Sequence, residues 1–151
     1  MSENAARPLP DNPDAFAAAF VLGLESRQGS LTINDYQVAV QRLERAIRPW
    51  DSVLDVAPRS VGVLCAALTN AREIEAIAER LVDVVRAPMS VGDEIRTLGV
   101  CVGSSRIEAG EEPAAAFRRA RSAMQQMRQA RAGLLAPEVP EPRDTKAAVS
   151  S

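Results

Sequence analysis

Short apolar runs alternate with stretches of helical periodicity along this chain, and that alternation restricts its fold more than any other feature. The run Ala19–Glu25, "AFVLGLE", is brief and continuous, as a strand buried on both faces would be. Behind the loop "SRQGS", Thr32 is placed to cap a helix. Tyr36, Ala39, Val40, Leu43 and Ile47 then recur at helical spacing over residues 33–47, and Pro49 stops the helix. Two strand-like runs follow, Ser52–Val56 and Val61–Ala67, joined by a hairpin turn at "APRS". Asn70 caps a second helix with an apolar face of Ile74, Ile77, Ala78, Leu81, Val84 and Val85, and Pro88 lies beyond it. "MSV", the turn "GDE" and "IRTLGVCVGSS" give a strand, a tight connection and a longer strand. Glu111, Glu112 and Pro113 open the last helix; its apolar face is Phe117, Ala120, Met124 and Met127, and Gly133 ends it. The order βαββαββα predicts an α/β domain with a mixed central sheet and flanking helices. Residues 15–133 form that domain. Residues 1–14 and 134–151, with three prolines each in "MSENAARPLPDNPD" and "LLAPEVPEPRDTKAAVSS", are expected to be a disordered arm and tail.

Composition removes several classes of chemistry. The chain has no histidine, so His-dependent acid–base catalysis and His-ligated metal sites are excluded. Cys65 and Cys101 each lie in an apolar run and read as small buried hydrophobes, not a disulfide or a metal site. Aromatic residues make up 3% of the chain, so Val, Leu, Ile and Ala must build the core. A net charge of −2 and few aromatics for stacking argue against a nucleic-acid partner. No apolar run reaches the roughly 18–20 residues of a membrane span, and the start lacks the pattern of a secretory signal. The expectation is a cytoplasmic protein without a membrane partner.

Several segments, in order, give the order of elements a family likeness. "RPWDSVLDV" (48–56) parallels "RPGDxVARL"; "IEAIAERLVDVV" (74–85) parallels "AxxxAERLRxxL"; "LGVCVGSS" (98–105) parallels "LTVSIGVA". The helix "FRRARSAMQQMRQARAG" (117–133) has the cadence of "RRADxAMYxAKxxGR", with Ala120, Ala123, Met124 and Gly133 matching. Over about residues 19–133 the chain resembles a truncated, degenerate GGDEF domain, the domain of diguanylate cyclases. In this register the signature falls at Ala57–Val61, "APRSV". The pentapeptide "VGDEI" (91–95), one letter from GGDEF at each end, lies after the "AER" helix and reads as a turn.

The resemblance implies chemistry that these residues do not support. Cyclic di-GMP synthesis in the family uses paired divalent metals on carboxylates at the first strand's end and at the signature's third position. Here Gly23 takes the first place, with Glu25 nearby, and Arg59 takes the second, where it would repel Mg²⁺. Ala57 and Pro58 replace the signature glycines, and Pro58 lacks an N–H donor. The segment after the first strand is about ten residues short, and "INDY" (33–36) reads as an ordinary helix start. The expectation is a domain with no catalytic residues, no metal and no cofactor.

What the resemblance leaves in place is the family's inhibitory product site. Arg48 and Asp51 stand at Arg-x-x-Asp spacing before the hairpin, and Arg80 stands in the "AER" helix. An Arg fork matches the O6/N7 edge of guanine, and a carboxylate can accept from guanine N1–H and N2–H. Trp50 offers a face for stacking. Two readings stay open: a cyclic di-GMP receptor, in which ligand could induce a dimer, or a ligand-free interaction module. For the second, Arg118, Arg121, Arg128 and Arg131 share one face of the last helix, which is either a solvated basic face or a dock for an acidic partner.

Overall fold

The computed structural model describes residues 15–135. The elements are β1 (Phe16–Ser26), α1 (Ile33–Ala46), β2 (Ser52–Ala57), β3 (Ser60–Leu68), α2 (Arg72–Arg86), β4 (Met89–Val91), β5 (Glu94–Arg96), β6 (Leu98–Ile107) and α3 (Pro113–Leu135). The expected α/β class is observed, and the order is βαββαβββα, one strand more than expected before the last helix. Four strands form one sheet in the order β2-β3-β1-β6, and β4 and β5 form a separate two-stranded ribbon. Every pairing is antiparallel, where a mixed sheet was expected. The reason lies in the order: β3 sits between β2 and β1, so the parallel-running β1 and β2 are never neighbours. Their crossover is α1, and α2 makes the equivalent crossover from β3 to β6.

β1 is the middle of the molecule, and its side-chain alternation divides the core. Ala18, Phe20, Leu22 and Leu24 face α1 and α2, packing with Leu43, Val61, Val63, Leu81, Val85 and Val100. Ala19 and Val21 face the other way, onto Ala116, Phe117, Ala120 and Met124 of α3. Cover on both faces is why the sequence there is a continuous apolar run. Cys65 and Cys101 are free and buried, one in each half of the core, and burial pushes the Cys65 thiol up to about 12.

α3 lies very close to the sheet because the sheet offers it glycines. Gly62 of β3 and Gly103 of β6 both stand opposite Val21 of β1, so the three form one row. A Cβ at Gly103 would come within 2.1 Å of the Ala120 carbonyl oxygen, and one at Gly62 within 2.9 Å of the Phe117 ring. α3 also continues to Leu135, past Gly133, which does not terminate it. Met127 is half exposed instead of joining the apolar face, because that face is already complete at Met124.

Local chemistry fixes the other ends. Thr32 Oγ1 accepts from the Asp35 N–H at 3.0 Å, and Asp35 Oδ2 accepts from the Thr32 N–H at 2.9 Å, a capping box at "TIND". The cap of α2 differs from expectation by one residue. Ala71 holds the N-cap position, while Asn70 Oδ1 accepts from the Arg72 N–H and Glu73 Oε1 accepts from the Thr69 and Asn70 N–H groups. Arg42 of α1 donates to the Ala87 and Pro88 carbonyls, satisfying the C-terminal end of α2. "VGDEI" is the tip of the β4–β5 ribbon, with Val91 paired to Glu94 and Gly92 at φ 62°. "IRTLGVCVGSS" breaks at Thr97, so its start belongs to this ribbon and its remainder to the main sheet.

β3 carries a bulge. Phe16 pairs with Leu68 but Ala18 with Cys65, so two residues of β3, Ala66 and Ala67, oppose Ala17. Ala67 takes φ 59°, a conformation that glycine favours. Ala67→Gly is therefore expected to stabilise the domain by about 1 kcal/mol, read as a higher urea midpoint at unchanged slope. The expected arm at 1–14 and the tail from 136 onward lie outside the described residues.

Candidate functional site

Arg48, Pro49, Trp50 and Asp51 connect α1 to β2 beside the bulge, and their geometry follows from it. Where the bulge interrupts the ladder, Ala66 has an N–H and a carbonyl that need partners. Asp51 Oδ1 accepts from the Ala66 N–H at 3.1 Å, and Arg48 Nη2 donates to the Ala66 carbonyl at 2.6 Å. The pair is closed on itself as well. Arg48 Nε donates to Asp51 Oδ2 at 3.0 Å, Arg48 Nη2 to Oδ1 at 3.3 Å, and the Arg48 backbone N–H to Oδ2 at 3.1 Å. The Asp51 side chain is 1% exposed and that of Arg48 31%. Two side chains thus do for Ala66 what a further strand residue would do.

Asp51 is therefore saturated by four donors and does not face an open surface with the other two predicted residues. Arg48 and Arg80 do come together. They line one cavity of about 210 Å³ with Glu73, Ala76 and Ile77. Arg80 is exposed, and its charge and that of Arg48 both act on the Cys65 thiol beneath. Glu73 is held below the usual carboxylate range by its two backbone donors at Thr69 and Asn70. Asp51 lines a different recess with Glu44, Ile47, Pro49, Ser52 and Val53, on the other side of Arg48. The Trp50 ring is covered by the Arg48 guanidinium at 5.3 Å, so its stacking face is partly used internally.

A second cavity, about 290 Å³, lies at the end of β1. Leu24, Glu25, Ser26, Gly29, Ser30, Leu31, Arg59 and Arg128 surround it. Arg59 sits at the tip of the β2–β3 hairpin at φ 62°. Arg128 lies across the bare backbone of Gly23, where a Cβ would meet its Nη2 at 2.5 Å, and its Nε is 3.4 Å from Glu25 Oε2. One carboxylate between two guanidinium groups is a poor donor set for a divalent cation, which takes six or more oxygens. Among the described residues no three His, Cys, Asp or Glu side chains gather as a metal site would require.

The arginine face expected on α3 is divided by this packing. Arg128 is drawn onto β1 by Gly23 and Glu25, whereas Arg118 and Arg121 stay exposed near β2. Sequence reasoning also missed the buried pair of Arg96 with Asp35. Arg96 Nε and Nη2 donate to the two Asp35 oxygens at 2.9 and 2.7 Å, and Nη2 also donates to Ser26 Oγ. Those two residues lie in different elements 61 positions apart. The only local signal was a carboxylate at the third position of a capping box. Glu73 was missed because the motif pointed to Asp51.

Comparisons with known proteins agree with this fold. The family model "Diguanylate cyclase, GGDEF domain" matches residues 36–133. No curated protein matches the chain. Among solved structures, an EAL/GGDEF domain protein from M. capsulatus aligns with a TM-score of 0.62 at 16% identity, covering 80% of this chain and 84% of that one. The GGDEF domain of DgcB from Caulobacter crescentus, in complex with c-di-GMP, aligns at 0.57 and 12% identity over 76% of this chain and 74% of its own. The diguanylate cyclase SiaD from Pseudomonas aeruginosa, in complex with its activator SiaC, aligns at 0.59 and 17% identity over 76% of this chain and 47% of its own. No helix among the described residues is long and apolar enough to cross a membrane.

Proposed function

The chain belongs to the GGDEF domain family, and we propose that within it this domain is catalytically silent and reads cyclic di-GMP instead of making it. The observation that carries the receptor reading is the shared cavity of Arg48 and Arg80. Arg48 has its two Nη1 hydrogens left after pairing with Asp51 and Ala66, and Arg80 is exposed beside it. Two forks can meet the O6/N7 edge of one guanine, with Glu73 as a nearby acceptor for its N–H groups. Asp51 contributes at one remove, by fixing the Arg48 plane.

Silence is supported by the β1-end cavity. That cavity is lined by one carboxylate, Glu25, together with Arg59 and Arg128, a poor setting for the paired metals that phosphoryl chemistry of this kind needs. Incubation with GTP and Mg²⁺ is expected to yield no cyclic di-GMP above a protein-free blank.

Calorimetric titration of cyclic di-GMP tests the receptor reading. Arg80→Ala is the informative variant, because Arg80 makes no hydrogen bond or ion pair among those described and its loss should leave folding intact. Binding by the wild type that falls at least tenfold in Arg80→Ala supports the reading. Absence of binding by the wild type at about 100 μM ligand sinks it.

A second reading, a protein-docking module, is favoured by a different observation. Among the described residues β2 is an open edge, and its exposed Leu54 lies next to Arg118 and Arg121, which make no ion pair there.

A further inference from the structure

We propose that the groove between β2 and α3 is a docking site for a short, extended segment of a partner protein that carries acidic side chains, bound by strand addition to β2. This inference is independent of the nucleotide reading, because the groove and the Arg48/Arg80 cavity share no residue.

Three features of the groove meet here. The first is an open edge. Among the described residues β2 pairs only with β3, so its outer row of backbone donors and acceptors has no strand partner. An extended peptide satisfies such a row by main-chain hydrogen bonds. The second is an apolar floor on one face of that edge. Val56 packs with the α3 half of the core, and alternation puts Leu54, 40% exposed, on the same face next to it. Phe117 closes the floor from α3, and the recess holds about 310 Å³.

The third feature selects the partner's charge. Arg118 and Arg121 form the α3 lip of the groove, both are exposed, and neither makes an ion pair among the described residues. This sets them apart from Arg119, which is tied to Glu111, and Arg128, which is drawn to Glu25. The groove's one carboxylate, Asp55, accepts from the Tyr36 hydroxyl, on the face of β2 turned toward α1. Glutamates on the α3 side of an added strand would therefore meet two cations, with Asp55 engaged by Tyr36 on the opposite face. The edge is short, six residues, and its register shifts between Asp55 and Ala57. A bulged, short edge resists unlimited sheet growth while leaving room for a few residues of a partner.

The probe is a capped heptapeptide, Thr-Glu-Thr-Leu-Thr-Glu-Thr, whose alternate positions present Glu, Leu and Glu on one face. Its counterpart replaces both glutamates with lysine. Binding is followed by amide chemical shifts of the labelled full chain. The proposal expects the Glu peptide to shift amides in 52–57 and around 117–121, and to bind at least tenfold more tightly than the Lys peptide. Arg118→Glu/Arg121→Glu should reverse that preference. Both substitutions are on exposed positions, and a wild-type amide spectrum away from α3 certifies the fold. Equal shifts with both peptides, an unchanged preference in the double variant, or no shift at millimolar peptide would each overturn the proposal. A third peptide with N-methylated alternate amides should lose binding. If it binds as the parent does, strand addition is wrong.

Discussion

Arg96→Met is expected to cost about 3–5 kcal/mol of folding stability at neutral pH, because it strips a buried carboxylate of its cation. Asp35 is fully buried, and its two oxygens take up both Arg96 donors as well as the Thr32 N–H. The same guanidinium ties down Ser26 Oγ and the Gln28 and Ser30 carbonyls, so the β1–α1 loop would lose its anchor too. The Arg96 hydrogen bonds hold the Asp35 carboxyl below the usual carboxylate range, against the opposing effect of burial. A folded value below the unfolded one, about 4, means that the pair's contribution is complete above that pH. It is lost as pH falls through the folded value. Urea unfolding at pH 7 and pH 3 should therefore show a wide gap between wild type and Arg96→Met that narrows in acid. Arg96→Met with Asp35→Leu should recover much of the loss at neutral pH, since no charge then remains buried. A single variant as stable as wild type would mean that water reaches Asp35.

Gly103→Ala is expected to cost about 3 kcal/mol, the upper range for forcing atoms into a packed interior. The added methyl would meet backbone, not a side chain that can swing aside: the Ala120 carbonyl oxygen at 2.1 Å and the Met124 nitrogen at 2.3 Å. The only relief is to lift α3, which uncovers Ala19, Val21 and Cys101. Gly62→Ala meets the side chains of Phe117 and Val56 and should cost less. Thermal unfolding of the two variants checks the order. Equal losses would show that α3 tilts on the sheet as a rigid rod and that no single row sets its height.

Most of the fold was legible because its signals were local. Thr32 reads as a cap because it stands just before the run of helical spacing, "APRS" marks the hairpin, and "GDE" marks the ribbon tip. β1 reads as central because both of its faces are apolar. The sheet's antiparallel character was not legible, since no local signal says which strand will insert between β1 and β2. Nor was the closeness of α3: Gly62 and Gly103 are 41 positions apart and become one row only through their shared partner, Val21. The candidate site divides in the same way. The family resemblance grouped Arg48 with Arg80, and the two line one cavity. Sequence reasoning could not foresee the Ala66 bulge, which claims Asp51 for the backbone and leaves Glu73 as the carboxylate facing the cavity. It grouped four arginines by helical angle, and a glycine on another strand removed one of them.

The clamp on Ala66 changes what inheritance of the Arg-x-x-Asp tetrapeptide means in this chain. Both side chains hydrogen-bond the backbone of the β3 bulge, so selection for folding alone is enough to preserve them. Arg80 has no such second duty among the contacts described. The tetrapeptide by itself therefore speaks for the sheet, and a substitution at Arg80 leaves these hydrogen bonds untouched.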